Sequence, residues 1–379
     1  MQLKDIHSQQ NAINGLQRAF ASRKMAHACL FVGPDGVGKR TTALAWARML
    51  LCHNRIEKKI NGVLTADSCG QCRSCKLFDA GTHPDFKLIQ KELSQFTEEG
   101  KGKDAPLEMP VDVIREFVIE KIAVKAAESE YSIFVIDEAE KVNPSSQNAM
   151  LKVLEEPPSF CVLILLCSRL EQMLPTTKSR CRIIQFGPVE ESFILSKLKP
   201  VCPDDSEALY WARFSEGRLG EALSWAALDT QEKSPRAYEI KKELVDRLCR
   251  FELADALDTA AWMSQAAKNL AAAWIQQYPQ LSAKDLTRRT QKGLIQMVIA
   301  LLSDVAGYQL GKQSYLVNSD QILSVQKLSS VYDSRQIAEK ILVLQNLLGW
   351  VDDNVNEKLI FEQVLFKLSF SDILIDSLV

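Results

Sequence analysis

A glycine-rich segment ending in lysine is the first part of the sequence suited to chemistry. Its residues are Gly33-Pro34-Asp35-Gly36-Val37-Gly38-Lys39. A short apolar run, Ala28–Val32, precedes it, and a helix-forming stretch, Lys39–Leu51, follows it. In that setting the glycines let backbone N–H groups surround phosphate oxygens, while the helix N-terminus and the lysine supply positive charge. The spacing predicts a phosphate-binding P-loop; the alternative is an ordinary glycine turn with a solvated lysine.

The next position departs from the P-loop pattern. Residue 40 is Arg40, where the motif has Ser or Thr to bind Mg²⁺. Thr41 is no substitute, because one helical step rotates a side chain by about 100°. We predict a nucleotide site that is poorly equipped for Mg²⁺-dependent hydrolysis of ATP, formed by Gly33, Pro34, Gly36, Gly38, Lys39, Arg40 and Thr41.

Two carboxylates follow a second buried strand-like run, Ser132–Ile136. These are Asp137 and Glu138. In P-loop enzymes an Asp at this place supports Mg²⁺, and a neighbouring catalytic residue orients the attacking water. Carboxylates are common at strand ends, so the pair gains meaning from the P-loop upstream. Together they predict a Walker-B segment.

Four cysteines form the pattern C-x16-C-x2-C-x2-C: Cys52, Cys69, Cys72 and Cys75. Four thiolates spaced this way can close tetrahedrally around a structural Zn²⁺ ion. A redox Cys-x-x-Cys pair and ordinary buried thiols are the competing interpretations. His53 and His83 could each replace a cysteine ligand, although a complete four-cysteine set needs neither. The pattern favours zinc.

Composition limits the class of protein. The 379 residues include 46 Lys+Arg and 48 Asp+Glu, and the formal net charge is −2. This balance excludes nucleic-acid binding by bulk charge alone. The longest apolar stretch, Cys161–Cys167, is seven residues long and too short to span a bilayer. With no signal-peptide pattern at the start, we expect a cytoplasmic protein without membrane contact.

Strand-like runs alternate with helical segments up to about residue 187, and a third run follows at 162–166. This alternation predicts a parallel α/β sheet covered on both faces. After Pro188 only helix-forming segments follow. We predict an α/β P-loop domain over 1–187 with a zinc module at 52–75, a small helical lid domain over 188–234, and an all-helical collar domain over 235–379.

In this order the motifs resemble the AAA+ clamp-loader subunits of bacterial DNA polymerase III, nearest to the delta-prime type and next to gamma/tau. The resemblance covers most of the chain. The most specific stretch joins Asp137-Glu138-Ala139-Glu140 to Asn148-Ala149-Met150-Leu151-Lys152-Val153-Leu154-Glu155-Glu156-Pro157-Pro158. Residues 166–169 match the sensor-1 segment, which implies that Ser168 senses phosphate. Ser179-Arg180-Cys181 matches the family's SRC motif.

The resemblance implies roles for residues that are uninformative alone. In the family's SRC motif the arginine acts in trans, which implies that Arg180 contacts the ATP of a neighbouring subunit. Without the resemblance, Arg180 would be interpreted as an ordinary solvated surface arginine. The position usually holding the sensor-2 arginine is Gly220, and Arg218 is out of register. With Arg40, this departure weakens the chain's own hydrolysis and leaves the contribution to a neighbour intact.

The resemblance therefore implies a delta-prime-like subunit that helps load the sliding clamp onto primed DNA in a cytoplasmic, nucleoid-associated replisome. Implied partners are the gamma/tau and delta subunits, the clamp, and primer-template DNA through the assembled complex. Implied cofactors are structural Zn²⁺ and ATP with Mg²⁺, with the chain's own ATPase activity weak or absent. A gamma/tau-like ATPase motor is the alternative, and a P-loop kinase is a more distant one.

Overall fold

The computed structural model describes residues 1–60, 63–101, 106–228, 236–279 and 281–369. The chain divides into two compact units. The first comprises Met1–Phe193 with Gly217–Gly220, and the second comprises Ile194–Glu216 with Glu221–Val379. Each unit has its own architecture.

The first unit holds all the strands of the described residues: β1 (Ala28–Val32), β2 (Ile56–Ile60), β3 (Val63–Asp67), β4 (Phe86–Ile89), β5 (Ser132–Ile136), β6 (Cys161–Cys167) and β7 (Arg182–Gln185). Its helices are α1 (Gln10–Ala21), α2 (Lys39–Leu51), α3 (Arg73–Asp79), α4 (Val111–Ile114), α5 (Pro144–Glu155) and α6 (Pro175–Lys178). After Pro110 the chain makes the short α4 and then a π-helical turn over Arg115–Ile119.

Five strands form one parallel sheet in the order β4-β5-β6-β1-β7. The strands predicted at 28–32, 132–136 and 162–166 are confirmed as β1, β5 and β6, and the parallel sheet is confirmed with them. Strands β4 and β7, which lie at the two edges, were not predicted. The antiparallel hairpin β2–β3 was also not predicted.

Alternate side chains of β1 pack into two separate hydrophobic cores, one on each face of the sheet. This explains why every residue of Ala28–Val32 is apolar. Cys29 and Phe31 pack in one core with residues of α1 and α2, including Trp46. Leu30 and Val32 pack in the other core with residues of α4 and α5, including Met150. Because a strand's side chains alternate between faces, a sheet covered on both faces requires apolar residues at every position.

Adjacent parallel strands bring their carboxyl ends to one edge of the sheet. Val32 of β1 pairs with Cys167 of β6, and Ile136 of β5 pairs with Leu165 of β6. The segments that follow these three strands are the P-loop, the Asp137-Glu138 pair and Ser168. The sheet therefore gathers the three predicted nucleotide-site segments at that edge.

The described part of the second unit contains α-helices and short 3-10 turns and no strand. Its helices are α8 (Asp205–Phe214), α10 (Ala237–Cys249), α11 (Ala256–Gln277), α12 (Ala283–Gln309), α13 (Ile322–Ser329), α14 (Ser334–Asp352) and α15 (Glu357–Ser369). Two more helices, α7 (Glu191–Leu198) and α9 (Leu219–Leu228), cross the division between the units. The predicted boundary at 234/235 lies outside the described residues, so separate lid and collar domains remain a prediction.

Among the described residues, no helix combines the length and the apolar character needed to cross a bilayer.

Candidate functional site

The P-loop joins β1 to α2 and is shaped by two glycines. Gly36 has φ 80° and Gly38 has φ 102°, values that favour glycine because a side chain there is strained. Gly38 precedes the first residue of α2, and its carbonyl accepts hydrogen bonds from the N–H and the hydroxyl of Thr42. The loop thus ends at a helix N-terminus, which favours phosphate.

Lys39 is turned into the loop. The residue is only 7% exposed. Its ammonium donates to the carbonyls of Gly33 and Pro34 at 2.5 and 2.9 Å and lies 3.3 Å from an Asp35 oxygen. The positive charge therefore sits within the ring of backbone that a phosphate would face.

Arg40 reaches across to the Walker-B segment. Its Nη1 lies 3.1 Å from Oδ2 of Asp137, and its side chain is 47% exposed. Burial raises the pKa of the Asp137 carboxyl, while the Arg40 guanidinium opposes that rise. The residue that replaces the expected Mg²⁺-binding hydroxyl is thus a cation bound to the expected Mg²⁺-binding carboxylate.

Glu138 is held by two lysines. Its backbone has φ 48°, in the left-handed region. Lys91 Nζ lies 3.1 Å from Glu138 Oε2, and Lys141 Nζ lies 2.6 Å from Oε1. Lys91 is 2% exposed. Both carboxylate oxygens therefore already bind a cation, which leaves this side chain poorly disposed to orient a water molecule.

Ser168 follows β6 and is bound by a third carboxylate. Its N–H and its hydroxyl both donate to Glu140, which lies two residues beyond Glu138. Ser168, the sensor-1 candidate, therefore lies next to the Walker-B segment and is hydrogen-bonded to Glu140 there.

Arg180 lies just beyond α6 and binds residues of α5 and α6. Its Nη2 donates to the carboxylate of Glu155, the last residue of α5, and its Nη1 donates to the Thr176 carbonyl at 2.9 Å. The side chain is 32% exposed. A guanidinium has five N–H donors, so these two contacts orient the group and leave further donors for a phosphate.

Gly220 packs directly on the P-loop. Its N–H donates to the Gly36 carbonyl at 2.9 Å. A Cβ at position 220 would lie 3.1 Å from Gly36 Cα, closer than ordinary van der Waals contact. At the position where the family resemblance places an arginine, the structure therefore has a backbone contact that favours glycine.

The four predicted cysteines form one cluster. Their Sγ atoms all lie within 4.8 Å of one another, and Cys52 Sγ is 3.6 Å from Cys69 Sγ and 3.8 Å from Cys72 Sγ. Tetrahedral ligation at a Zn–S distance near 2.3 Å places sulfur atoms about 3.8 Å apart. The set therefore fits a four-thiolate metal site. Among the described residues it is the single cluster of potential metal ligands of this kind.

Local backbone positions these thiols, and at Cys72 it favours the thiolate. Cys52 caps the end of α2, Cys69 follows β3, and Cys72 caps the start of α3, which contains Cys75. Burial acts to raise the pKa of the Cys72 thiol, but the N–H groups of Cys75 and His53 and neighbouring thiols outweigh it and lower the pKa to about 6.

The two histidines considered as ligands have other partners. His53 Nε2 lies 2.8 Å from the Glu128 carbonyl. His83 Nε2 lies 3.0 Å from the Ser74 hydroxyl, and its Nδ1 accepts from the Asp85 N–H at 3.1 Å. Burial lowers the pKa of His83, with Asp85 and Glu128 opposing that effect. Among the described residues the metal-site candidates are the cysteines alone.

Sequence reasoning missed the counter-charges of this site, namely Lys91, Lys141, Glu140 and Glu155. Glu140 and Glu155 lie inside the motif stretch that carries the family resemblance, but nothing there indicates what they bind. Lys91 follows the unpredicted strand β4 by two residues, and without that strand its approach to Glu138 has no sequence signal.

A parallel sheet that directs a P-loop, a Walker-B pair and a third polar residue to one edge, with a four-cysteine module beside it, defines an AAA+-type P-loop domain. Two family models match the chain: "DNA polymerase III, delta subunit" over residues 8–190, and "DNA polymerase III, delta subunit, C terminal" over residues 255–369. Together these models match more than half of the chain, which belongs to the DNA polymerase III delta-subunit family that they describe.

Individual relatives agree with this assignment. The DNA polymerase III subunit delta' of Pseudomonas aeruginosa is 36% identical over 157 residues, which is 41% of this chain and 42% of that protein. The delta' subunit of Yersinia pestis is 28% identical over 346 residues, covering 89% of this chain and 88% of the relative. The tau subunit of Bacillus subtilis is 28% identical over 225 residues, covering 59% of this chain and 35% of the relative.

Solved structures include a similar chain. The match to a gamma subunit-related protein of Thermotoga maritima covers 94% of this chain and 98% of the Thermotoga chain, at 17% sequence identity and a TM-score of 0.44.

Proposed function

We propose that this chain is a delta-prime-like subunit of a DNA polymerase III clamp loader, which helps to place the sliding clamp on primed DNA. Its partners in this proposal are gamma/tau and delta subunits, the clamp, and primer-template DNA through the assembled complex. Its place is the cytoplasmic, nucleoid-associated replisome. Family membership supports the complex, and the site geometry supports the division of labour within it.

The observation that supports this proposal is a contrast between the chain's own P-loop site and Arg180, the residue proposed to act on a neighbour's ATP. In its own P-loop site, Asp137 and Glu138 already bind Arg40, Lys91 and Lys141. Arg180 instead lies just beyond α6, with its side chain 32% exposed and oriented by Glu155. The first arrangement disfavours hydrolysis by this chain. The second suits a guanidinium that stabilises developing charge on a neighbour's ATP, an effect worth about 10³–10⁵ in rate for arginine fingers.

Zn²⁺ is the metal we assign to Cys52, Cys69, Cys72 and Cys75. Four thiolates at tetrahedral spacing suit Zn²⁺, and a closed set of four leaves no open position for substrate. When bound, the ion supplies no catalytic chemistry and cross-links α2, α3 and the end of the β2–β3 hairpin. The cysteines therefore have a structural role in this proposal.

Reconstitution tests the proposed function. Clamp loading on primed DNA is measured with gamma/tau and delta partners in the presence and absence of this chain, and ATP turnover is measured for the chain alone. We expect loading to depend on the chain, and the isolated chain to turn over little ATP. Loading that is unchanged without the chain contradicts the proposal. Strong turnover by the isolated chain, lost in Lys39→Ala, would instead favour a gamma/tau-like motor.

A further inference from the structure

We propose that the Arg40 guanidinium takes the place of Mg²⁺ in this P-loop site, so that the chain binds a nucleoside triphosphate without a divalent ion. This inference rests on the proposed function only in treating the P-loop as a nucleotide site. It concerns which cation the site uses, and it is tested on the isolated chain.

The residues present do not fit Mg²⁺. Magnesium demands near-octahedral oxygen coordination at about 2.1 Å, and in P-loop proteins the hydroxyl after the lysine and the Walker-B Asp hold it. Here Arg40 replaces that hydroxyl. The Thr42 hydroxyl, two residues further on, is fully buried and donates to the Gly38 carbonyl. The oxygen set that P-loop proteins offer the ion is therefore incomplete.

The remaining carboxylate is already neutralised. Asp137 Oδ2 lies 3.1 Å from Arg40 Nη1, so an ion bound to Asp137 would meet a positive guanidinium within a few ångström. Glu138 is occupied by Lys91 and Lys141. No carboxylate of the Walker-B pair is left needing a divalent cation to balance it.

Arg40 can supply the charge that a polyphosphate needs. The guanidinium is permanently charged and forms paired hydrogen bonds to phosphate oxygens. Its bond to Asp137 uses one of its five donors, and nearly half of the side chain is exposed. Lys39 and the N-terminus of α2 add positive charge at the same loop. The site retains cationic groups for phosphate after its carboxylates are paired.

Equilibrium binding of ATP to the isolated full chain tests this inference, with and without Mg²⁺. Magnesium should be omitted rather than chelated, because a chelator would also extract zinc from the cysteine cluster. The variants are Arg40→Ser, which returns the missing hydroxyl, and Arg40→Ser with Asp137→Asn. Arg73→Ser is the control, since Arg73 is an exposed arginine paired with Glu128 away from the P-loop.

We expect the wild-type dissociation constant to change less than about twofold on Mg²⁺ removal, and that of Arg40→Ser to rise at least about tenfold. Adding Asp137→Asn should abolish the new Mg²⁺ response, and Arg73→Ser should match the wild type. Three results would overturn the inference: wild-type binding that requires Mg²⁺, no wild-type binding of ATP under either condition, or Arg40→Ser binding that ignores Mg²⁺. If a variant fails to fold, the comparison of wild-type ATP binding with and without Mg²⁺ still tests the inference.

Discussion

Glu155 and Arg180 lie 25 residues apart in the chain, and their side chains form an ion pair. Glu155 ends α5, and Arg180 follows α6. Because the Thr176 carbonyl holds the other end of the guanidinium, Arg180 has one defined orientation before any partner arrives. The proposed trans-acting arginine is therefore preorganised by its own chain.

Removing Glu155 should weaken the action of Arg180. Ordering a long side chain costs about 0.5–1.5 kcal/mol, so Glu155→Ala should lower kcat of the assembled complex by about two- to tenfold. Glu155→Gln keeps an acceptor oxygen and should lose less. Steady-state turnover of reconstituted complexes measures both. If Glu155→Ala costs as much in an Arg180→Ala background as alone, Glu155 does not act through Arg180.

Zinc content should follow the cysteine cluster. Wild-type protein is expected to carry one Zn²⁺ ion per chain, and Cys72→Ser and Cys75→Ser should lose it with a large drop in thermal stability. Cys249→Ser is the control, because Cys249 lies in α10 of the second unit. Elemental analysis and thermal melts measure both quantities. Full zinc content in Cys75→Ser would contradict the assignment of that ligand.

His83 should make stability sensitive to mild acid. Its pKa is lowered below 6.5 mainly by burial, so the folded state favours the neutral ring. A group of this kind supports folding above its unfolded pKa, and that support is lost as pH falls through the folded pKa. The stability advantage of wild type over His83→Gln should therefore shrink below about pH 6.5. Denaturant midpoints across pH 5–8 measure it; an advantage that grows on acidification would contradict it.

Gly220 should not tolerate a side chain. A Cβ there approaches Gly36 Cα to 3.1 Å, so Gly220→Ala should destabilise the protein by about 1–3 kcal/mol. Gly15→Ala is the matched control: it lies in α1 with no atom within 4 Å of the added Cβ, and alanine should stabilise that helix by about 0.5–1 kcal/mol. Urea unfolding measures both changes. If Gly220→Ala and wild type were equally stable, the P-loop would have moved away from the added Cβ at no cost, and the prediction would be wrong.

The sequence predicts those parts of the fold that a local pattern specifies. Strands β1, β5 and β6 are buried on both faces and read as unbroken apolar runs, and α2 has strong helix formers after a P-loop. Strand β7, at the sheet edge, exposes Arg182, Ile183 and Gln185, so its residues carry no such run. Strand β2 consists largely of exposed charged residues. Pairing with a neighbour defines these strands more than composition does.

The same limit applies to the site. Glycines, carboxylates and cysteines are recognisable because their chemistry requires fixed spacing along the chain. Their counter-charges are brought in by tertiary structure: Lys91 lies 47 residues before Glu138, and Arg40 lies 97 residues before Asp137. No sequence spacing links such pairs, so the self-neutralised state of the P-loop site emerges only in the folded chain.

ATP turnover by the reconstituted clamp loader carrying Arg180→Ala is the most direct test of the central claim. The control complex carries Arg73→Ala, which removes another exposed arginine paired with a glutamate. We expect Arg180→Ala to abolish most of the turnover while the complex still assembles, since a missing arginine finger costs about 10³–10⁵ in rate at the site it serves. Turnover equal to that of the control would contradict the claim that this chain acts on a neighbour's ATP.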